Sequence, residues 1–171
     1  PDVNLSLASF SVQQGKIRYG LEAVKGIGSK AVEEIIAARD EGGPFEGLED
    51  LLERIDVTQV NRRVMENLVK SGAFDFCGLS RRELLDRLEE VLKAAQGLAE
   101  QRATNQMSLF GGANAKPTIP RRSSNLPEWP VNRRLSLERE ALGFYLSGHP
   151  FEKFAEELKR LGVVPTVEIK S

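Results

Sequence analysis

A Lys-Gly-Ile-Gly turn at residues 25–28, set between two apolar segments, constrains the fold more than any other feature of the sequence. Leu21 and Val24 approach the turn with helical spacing, and the residues after it repeat with the period of an amphipathic helix. The apolar face of this second segment consists of Ala31, Val32, Ile35 and Ile36. Glycines allow a tight turn and a close approach of the backbone to a ligand. The stretch from Tyr19 to Asp40 therefore predicts a helix-hairpin-helix, with Ile27 packed between the two helices.

The hairpin and the start of its second helix have the composition of an anion-binding site. Backbone N–H groups at a helix start have no acceptor within the helix, so they can donate to a phosphate oxygen. The interpretation is a contact with duplex DNA, made through phosphates and therefore independent of base sequence. The residues predicted to make it are Lys25, Gly26, Ile27, Gly28, Ser29 and Lys30. The alternative is an αα-corner in which glycine only turns the chain.

Charge and cysteine content limit the classes of function. The 171 residues carry a formal net charge of −1, so DNA binding has to depend on a local positive surface. The single cysteine, Cys77, excludes an internal disulfide and fits the reducing cytoplasm. No apolar run approaches the ~18 residues of a membrane span, so no membrane partner is expected. The chain does not begin with methionine and ends in what reads as an interrupted strand, so we interpret it as a fragment of a longer protein.

Two short strands are predicted before the hairpin, and helices after it. Residues 8–12 alternate between apolar and polar, residues 13–15 read as a turn, and residues 16–19 as the returning strand. Helical spacing follows at Leu48, Leu51, Leu52 and Ile55, and again at Val60, Val64, Leu68 and Val69. Gly72 lies where a left-handed helix cap is expected, in a degenerate second hairpin in which Phe74 replaces the second glycine. The sequence predicts a mainly α fold with a tandem helix-hairpin-helix.

A Ser-Arg-Arg-Glu capping box at residues 80–83 predicts the start of a long helix. Its apolar stripe consists of Leu84, Leu88, Val91, Leu92, Ala95 and Leu98. Arg81 and Arg82 in the first turn oppose the helix dipole, which costs a little stability and is explained if they meet DNA phosphate. A solvated pair of arginines explains them equally well.

Residues 101–131 have no sustained periodicity and predict a flexible linker. Six basic residues and one acid lie between Gln101 and Arg134. Within this polar stretch stands one short peptide with two large apolar residues, which indicates anchors for a pocket on another molecule. The peptide consists of Gln106, Met107, Ser108, Leu109 and Phe110, followed by two glycines.

A helical pair is predicted over residues 132–162. Its first helix runs to Gly148 with Leu135, Leu137, Leu142 and Leu146 inward, and its second has Phe151, Phe154, Leu158 and Leu161 inward. His149 has no Cys, Asp or Glu cluster at ligand spacing, so a turn or capping role is favoured over a metal or catalytic role. Residues 163–171 read as the first strand of a further domain.

Six stretches of the chain resemble the alpha subunits of bacterial DNA polymerase III, a family of replicative C-family polymerases. They are PDVN at 1–4, YGLEAVKGIG at 19–28, GPFEGLEDLLERID at 43–56, NRRVMENLVKSGAFD at 61–75, QMSLFG at 106–111 and EREALGFYLSGHP at 138–150. The resemblance covers nearly the whole chain, and its last stretch is highly specific.

The resemblance implies a division of the chain. Residues 1–18 would end the fingers, and residues 19–100 would form a tandem helix-hairpin-helix domain that holds the duplex leaving the active site. Residues 101–131 would carry a peptide, at 106–110, that docks on the sliding clamp. A helical pair at 132–162 would lead to an oligonucleotide-binding fold, which would start in residues 163–171.

The resemblance also implies an activity for the parent protein, a DNA-directed DNA polymerase of the bacterial cytoplasm. Its catalytic aspartates lie upstream in a palm domain, where Mg²⁺ is expected, so this fragment is expected to have no catalytic residue, metal or cofactor. The implied partners are double-stranded primer-template DNA, the sliding clamp (the beta subunit) and other polymerase III holoenzyme subunits.

Two other classes of function remain open. One is a helical interaction scaffold without DNA contact, and the other is the DNA-binding module of a repair nuclease or glycosylase. The latter needs a carboxylate constellation, or a lysine and an aspartate beside the hairpin. The nearest acids read as solvated helix faces: Glu22, Glu33, Glu34 and Asp40. Salt-dependent DNA binding argues against the scaffold, and metal-dependent cleavage would favour the nuclease.

Overall fold

A short β-hairpin followed by helices makes up the computed structural model, which describes residues 1–105, 119 and 124–162. The strands are β1 (Ser11–Gln13) and β2 (Lys16–Arg18), and the helices are α1 (Ser29–Gly42), α2 (Leu48–Arg54), α3 (Arg62–Lys70), α4 (Arg81–Asn105), α5 (Val131–Leu142) and α6 (Ala155–Arg160). Short 3-10 turns lie at Leu21–Ala23, Asp75–Cys77 and Glu152–Phe154. The predicted mainly α fold with an N-terminal hairpin is confirmed. None of the described helices is long and apolar enough to cross a membrane.

The two strands pair antiparallel around a two-residue turn. Gln14 and Gly15 both have positive φ, at 52° and 73°, as a type I′ turn requires. β1 begins later than predicted because the Ala8 carbonyl accepts a hydrogen bond from the Glu22 N–H at 3.1 Å. The chain before β1 is therefore bonded to the 3-10 turn in front of the helical hairpin.

The core lies between the inner faces of the first four helices, and α5 adds buried residues to it. The apolar stripes predicted for α2, α3 and α4 are buried, apart from a half-buried Leu98 at the end of α4. One buried ion pair, between Glu49 of α2 and Arg87 of α4, lies beside these apolar contacts. Burying a large apolar side chain stabilises a fold by about 1.5–3 kcal/mol. The helical spacing of the sequence therefore identified the residues that hold the helices together.

The first residues of the chain are bonded into this helical core. Val3 is fully buried, and its N–H donates to the Ala73 carbonyl at 3.1 Å. The Asn4 side chain both donates to and accepts from the backbone of Phe45, at 2.9 and 2.7 Å. Arg39 of α1 donates to the Val3 carbonyl at 3.3 Å. Residues 1–4 therefore stabilise the same core as the helices, while the predicted boundary at residue 18 stays a prediction.

The segment predicted as a degenerate second hairpin is a helix cap that faces the core. Gly72 follows α3 with a φ of 85°, as its predicted cap role requires. The Gly72 N–H donates to Val69 and the Ala73 N–H to Leu68, each at 3.0 Å, which is a Schellman motif. Ala73 is fully buried, and a Cβ on Gly72 would overlap the guanidinium of Arg81. The space beside this turn is therefore filled by the protein itself.

Arg81, at the start of α4, connects α3 and α5 to that turn and is only 6% exposed. Its guanidinium donates to both carboxylate oxygens of Asp75 at 2.9 and 2.7 Å, and to the Lys70 carbonyl at 3.0 Å. Glu138 of α5 lies 3.5 Å away. The structure corrects the interpretation of Arg81 as a phosphate contact, because the side chain is buried and bonded within the protein. The neighbouring Arg82 is exposed.

The start of α4 also binds the chain that returns before α5. The Ser80 hydroxyl accepts the Glu83 N–H at 3.0 Å, as predicted for the capping box. The same hydroxyl donates to the Leu126 carbonyl at 2.8 Å, and the Glu83 carboxylate accepts the Ser124 N–H at 2.7 Å. These bonds attach residues 124–126 to the first turn of α4.

Glu138 fixes the chain after α5. It is 1% exposed, and its carboxylate accepts the N–H groups of Leu146 and Ser147, the latter at 2.8 Å. Burial raises the pKa of Glu138, but the hydrogen bonds and the charge of Arg81 outweigh burial, so the pKa lies below its ordinary value. The carboxylate is therefore stabilised in its charged form, which is the form that pairs with Arg81.

The first helix of the C-terminal pair is shorter than predicted. Gly143, with a φ of 93°, ends α5 at Leu142, and the predicted end at Gly148 is wrong. Leu146 lies beyond the helix and is exposed, because its backbone turns back onto Glu138.

The second helix of the pair is also shorter and more exposed than predicted. α6 has six residues and begins only at Ala155. The inner face predicted for this helix is wrong at three positions, which are exposed: Phe151, Phe154 and Leu161. His149 has the predicted turn role, since its Nδ1 accepts the Phe151 N–H at 3.3 Å. The predicted strand at 163–171 lies outside the described residues.

We expect Arg81→Ala to lower the free energy of unfolding by about 3 kcal/mol, because it leaves the buried Glu138 without its charged partner. Arg82→Ala removes an exposed side chain of the same kind and should change the free energy of unfolding by less than about 0.5 kcal/mol. Urea unfolding of both variants measures the difference. Equal losses for the two arginines would contradict the structural role of Arg81.

Candidate nucleic-acid interface

The predicted hairpin is present, although its first helix is short. Before the turn stands only the 3-10 turn Leu21–Ala23, and after it α1 begins at Ser29. Ile27 is 8% exposed and packs in the core as predicted. Gly26 has a φ of 75°, in the left-handed region that favours glycine. The hairpin is therefore a tight backbone turn that Ile27 anchors to the core.

Two other helices bind this turn through its backbone. Asn67 of α3 donates from its side-chain amide to the Lys25 carbonyl at 2.6 Å. The Lys25 N–H donates to the Ala141 carbonyl of α5 at 2.8 Å. The same Asn67 amide nitrogen would lie 3.2 Å from a Cβ on Gly26. Asn67 and Ala141 therefore position the hairpin, and neither was indicated by a sequence motif.

The start of α1 presents unpaired backbone donors. Gly28 is the N-cap residue, and no side chain caps this end. The Gly28 carbonyl accepts the N–H groups of Ala31 and Val32, at 3.1 and 3.2 Å. Within the described part of the chain, the N–H groups of Ser29 and Lys30 have no acceptor, and both residues are exposed. With no acid in the first turn, the positive end of the helix dipole is also uncompensated.

The two glycines of the hairpin differ in what the fold requires. Gly26 needs the left-handed backbone and lies close to Asn67, so a side chain there meets strain. Gly28 has an ordinary φ of −84°, and a Cβ on it would meet no atom within 4 Å. The fold therefore requires glycine at position 26, but it does not require glycine at position 28.

A groove that no sequence pattern indicated lies beside the hairpin. We call it the α3 groove; its volume is about 450 Å³, and its lining residues are Lys25, Arg62, Arg63, Glu66, Asn67, Lys70 and Glu140. The hydrogen bond from Lys70 lowers the pKa of Glu140, and the charges of Lys70, Arg133 and Lys25 lower it further. The groove is thus a surface with more basic than acidic side chains, and its cations favour the ionised form of Glu140.

The remaining predicted residues divide into three groups. Lys25, Ser29 and Lys30 are exposed around the hairpin, in the places that the sequence pattern indicated. Arg82 is exposed on α4, and no described contact joins it to the hairpin. The predicted clamp-binding peptide, Gln106 to Phe110, lies outside the described residues. Among the residues that the structure describes, no group of three His, Cys, Asp or Glu side chains is arranged to hold a metal ion.

Comparisons with known proteins agree with the helix-hairpin-helix seen in the structure. A family model described as a helix-hairpin-helix motif matches residues 1–84. The DNA polymerase III subunit alpha of Escherichia coli strain K12 is 42% identical over 94% of this chain, and that of Haemophilus influenzae is 41% identical over 92%. The chain belongs to the DNA polymerase III alpha-subunit family. It spans 14% of the length of either relative.

A third relative of this family extends the match. The DNA polymerase III subunit alpha of Pseudomonas aeruginosa is 37% identical over 99% of this chain. The matched region is 16% of that relative's length. The resemblance noted in the sequence motifs is therefore confirmed.

We expect Gly26→Ala to lower the free energy of unfolding by about 1–2 kcal/mol, because alanine pays the steric cost of the left-handed backbone. Gly28→Asn should leave that free energy unchanged or raise it by a few tenths of a kcal/mol, since asparagine is a preferred N-cap residue. Urea unfolding of the two variants tests the contrast. A destabilised Gly28→Asn variant would show that glycine at this position serves the fold.

Proposed function

We propose that this chain grips duplex DNA for a replicative DNA polymerase, through the hairpin and the start of α1. The observation that supports the proposal is the uncapped, exposed start of α1, where the N–H groups of Ser29 and Lys30 have no acceptor among the described residues. An open helix start of this kind favours a negatively charged oxygen. The relatives' name, DNA polymerase III subunit alpha, gives the class of anion as a nucleic acid phosphate.

The physical requirements of such a grip match the residues at the turn. A phosphate oxygen has to come within hydrogen-bond distance of the backbone, and Gly28 leaves that approach open because it has no side chain. Lys25 and Lys30 stand on either side and supply positive charge. All these contacts are to the DNA backbone, so the grip does not depend on base sequence, as a polymerase that moves along its template requires.

For the parent protein we propose template-directed nucleotide transfer. The catalytic aspartates and the Mg²⁺ that they would hold belong, by the family resemblance, to a palm domain outside this chain. The role of this chain in that reaction is then to hold the duplex and the sliding clamp, with other holoenzyme subunits as further partners in the bacterial cytoplasm. Neither role needs a catalytic residue in the part of the chain that the structure describes.

We expect Gly28→Asn to weaken binding of the 171-residue chain to duplex DNA by about tenfold. The asparagine side chain fills the approach and caps the same N–H groups that would bind the phosphate. Fluorescence anisotropy with two duplexes of unrelated sequence measures the loss, which should be equal for both. Lys16→Asn, an exposed change in the β-hairpin, serves as the control and should bind like the wild type. Losses that depend on the duplex sequence would contradict a phosphate grip.

The sliding-clamp contact is a second part of the proposed function. The predicted peptide, Gln106 to Phe110, lies outside the described residues. The chain before it and the chain after it are both hydrogen-bonded to the same residue, Glu53 of α2. Arg102 donates to the Glu53 carbonyl at 2.9 Å, and the Ile119 N–H donates to the Glu53 carboxylate. Both ends of the intervening segment are therefore bonded to α2. We propose that attachment at Arg102 and Ile119 raises the effective concentration of the peptide at a clamp on the same DNA.

We expect Leu109→Ala combined with Phe110→Ala to abolish clamp binding, because each apolar anchor contributes roughly 1.5–3 kcal/mol when fully buried. The parent polymerase with both changes should lose processive synthesis on clamp-loaded primed DNA and keep short, clamp-free extension. Surface plasmon resonance on immobilised clamp, with primer extension, measures both effects. Val131→Ala with Phe151→Ala removes a comparable exposed apolar pair and should leave clamp affinity unchanged. Unchanged affinity in the Leu109 and Phe110 variant would remove the clamp proposal.

A further inference from the structure

The α3 groove carries more positive charge than its own acids neutralise. Arg62 is bonded to Glu66 at 2.8 Å, and Lys70 is bonded to Glu140 at 2.8 Å. Both acids of the groove are therefore engaged with one cation each. Arg63 forms no ion pair with any described residue and is exposed. The groove thus presents a cation that the folded chain does not use.

Arg63 and the DNA-binding turn belong to one continuous surface. The Arg63 Nε would lie 3.7 Å from a Cβ on Gly26, so the guanidinium lies against the turn itself. Lys25 begins the hairpin and also lines the groove. An anion in the groove would therefore contact, from the side of α3, the same hairpin turn that is proposed to bind DNA at the start of α1.

The chemistry of the lining favours a backbone phosphate over a peptide. The side chains that line the groove are charged groups and one amide, with no apolar side chain among them. An acidic peptide that bound here would have no apolar pocket in which to anchor, whereas a phosphate needs only donors and charge. Arginine is suited to this task because its planar guanidinium can donate two hydrogen bonds to one phosphate.

We propose that the α3 groove binds a second phosphate of the same duplex, with Arg63 as its main contact. The proposal rests on the proposed DNA grip and extends it from the helix start of α1 to the adjoining face of α3. Glu140 acts against this contact, since its carboxylate occupies Lys70 and adds negative charge to the groove. Glu140 therefore lowers the affinity of the groove for phosphate, and removal of its negative charge should increase DNA affinity.

Two substitutions with opposite expected effects test the groove. In the 171-residue chain, Arg63→Ala should weaken duplex binding about three- to tenfold at low salt and reduce the salt slope by about one, equally for unrelated sequences. Glu140→Gln should strengthen binding about twofold or more and steepen the slope, because Lys70 then faces the phosphate without a partner. Lys16→Ala is the exposed control and should match the wild type. Fluorescence anisotropy with a labelled primer-template duplex over a series of salt concentrations gives both quantities.

The outcomes separate this proposal from the grip on which it rests. If wild-type binding is lost in Gly28→Asn, but Arg63→Ala and Glu140→Gln leave affinity and slope unchanged, the groove proposal is overturned and the grip remains. A wild-type chain that does not bind duplex DNA overturns both. Weaker binding of both groove variants also overturns the proposal, because a phosphate site cannot lose affinity when a neighbouring carboxylate is neutralised. Thermal unfolding of the two variants confirms that these exposed changes leave the fold intact.

Discussion

The buried guanidinium of Arg81 is the interaction on which the arrangement of the helices depends. It binds Asp75 through both carboxylate oxygens and reaches Glu138 of α5, so one side chain joins the end of α3, the start of α4 and α5. A charge in this position is stable only while its partners are present, since an unpaired buried charge costs several kcal/mol. Gly72 leaves the room that the guanidinium occupies. The turn at Gly72, predicted as a degenerate second hairpin, therefore packs against Arg81 inside the protein.

The placement of α5 then determines the geometry of the hairpin turn at residues 25–28. α5 supplies the Ala141 carbonyl that accepts the Lys25 N–H, and α3 supplies the Asn67 amide that donates to the Lys25 carbonyl. With both backbone groups of Lys25 bonded inside the protein, the turn has one orientation, and the donors at the start of α1 face outward. A site fixed in this way pays little ordering entropy when it binds a ligand. The contacts that position the hairpin and the donors proposed to bind DNA are therefore separate groups, which allows each to be altered without the other.

Local patterns of the sequence predicted most of the helices but not their long-range partners. The apolar spacing of α2, α3 and α4 matches their buried faces because side chains on one helical face must be covered together. It failed after Leu142, where α5 ends and Leu146 is exposed, and again at Phe151, which is exposed before the six-residue α6. Arg81 misled the prediction because arginine is seldom buried, and its partner Glu138 lies 57 positions away. Asn67 and Arg63 were missed for the same reason, since nothing local to α3 indicates that the hairpin lies beside it.

The attachments of the segment before α5 determine how a load on the proposed clamp peptide would reach the hairpin turn at residues 25–28. Between Ile119 and α5 the chain is bonded to α2 through Glu53 and to the first turn of α4 through Ser80 and Glu83. Each such bond is worth only about 0.5–1.5 kcal/mol, but they act in series before α5. A pull from a moving clamp would therefore break contacts on α2 and α4 before it displaced the Ala141 carbonyl from Lys25. These attachments would shield the turn from such a load, as the proposed simultaneous attachment to a clamp and to duplex DNA requires.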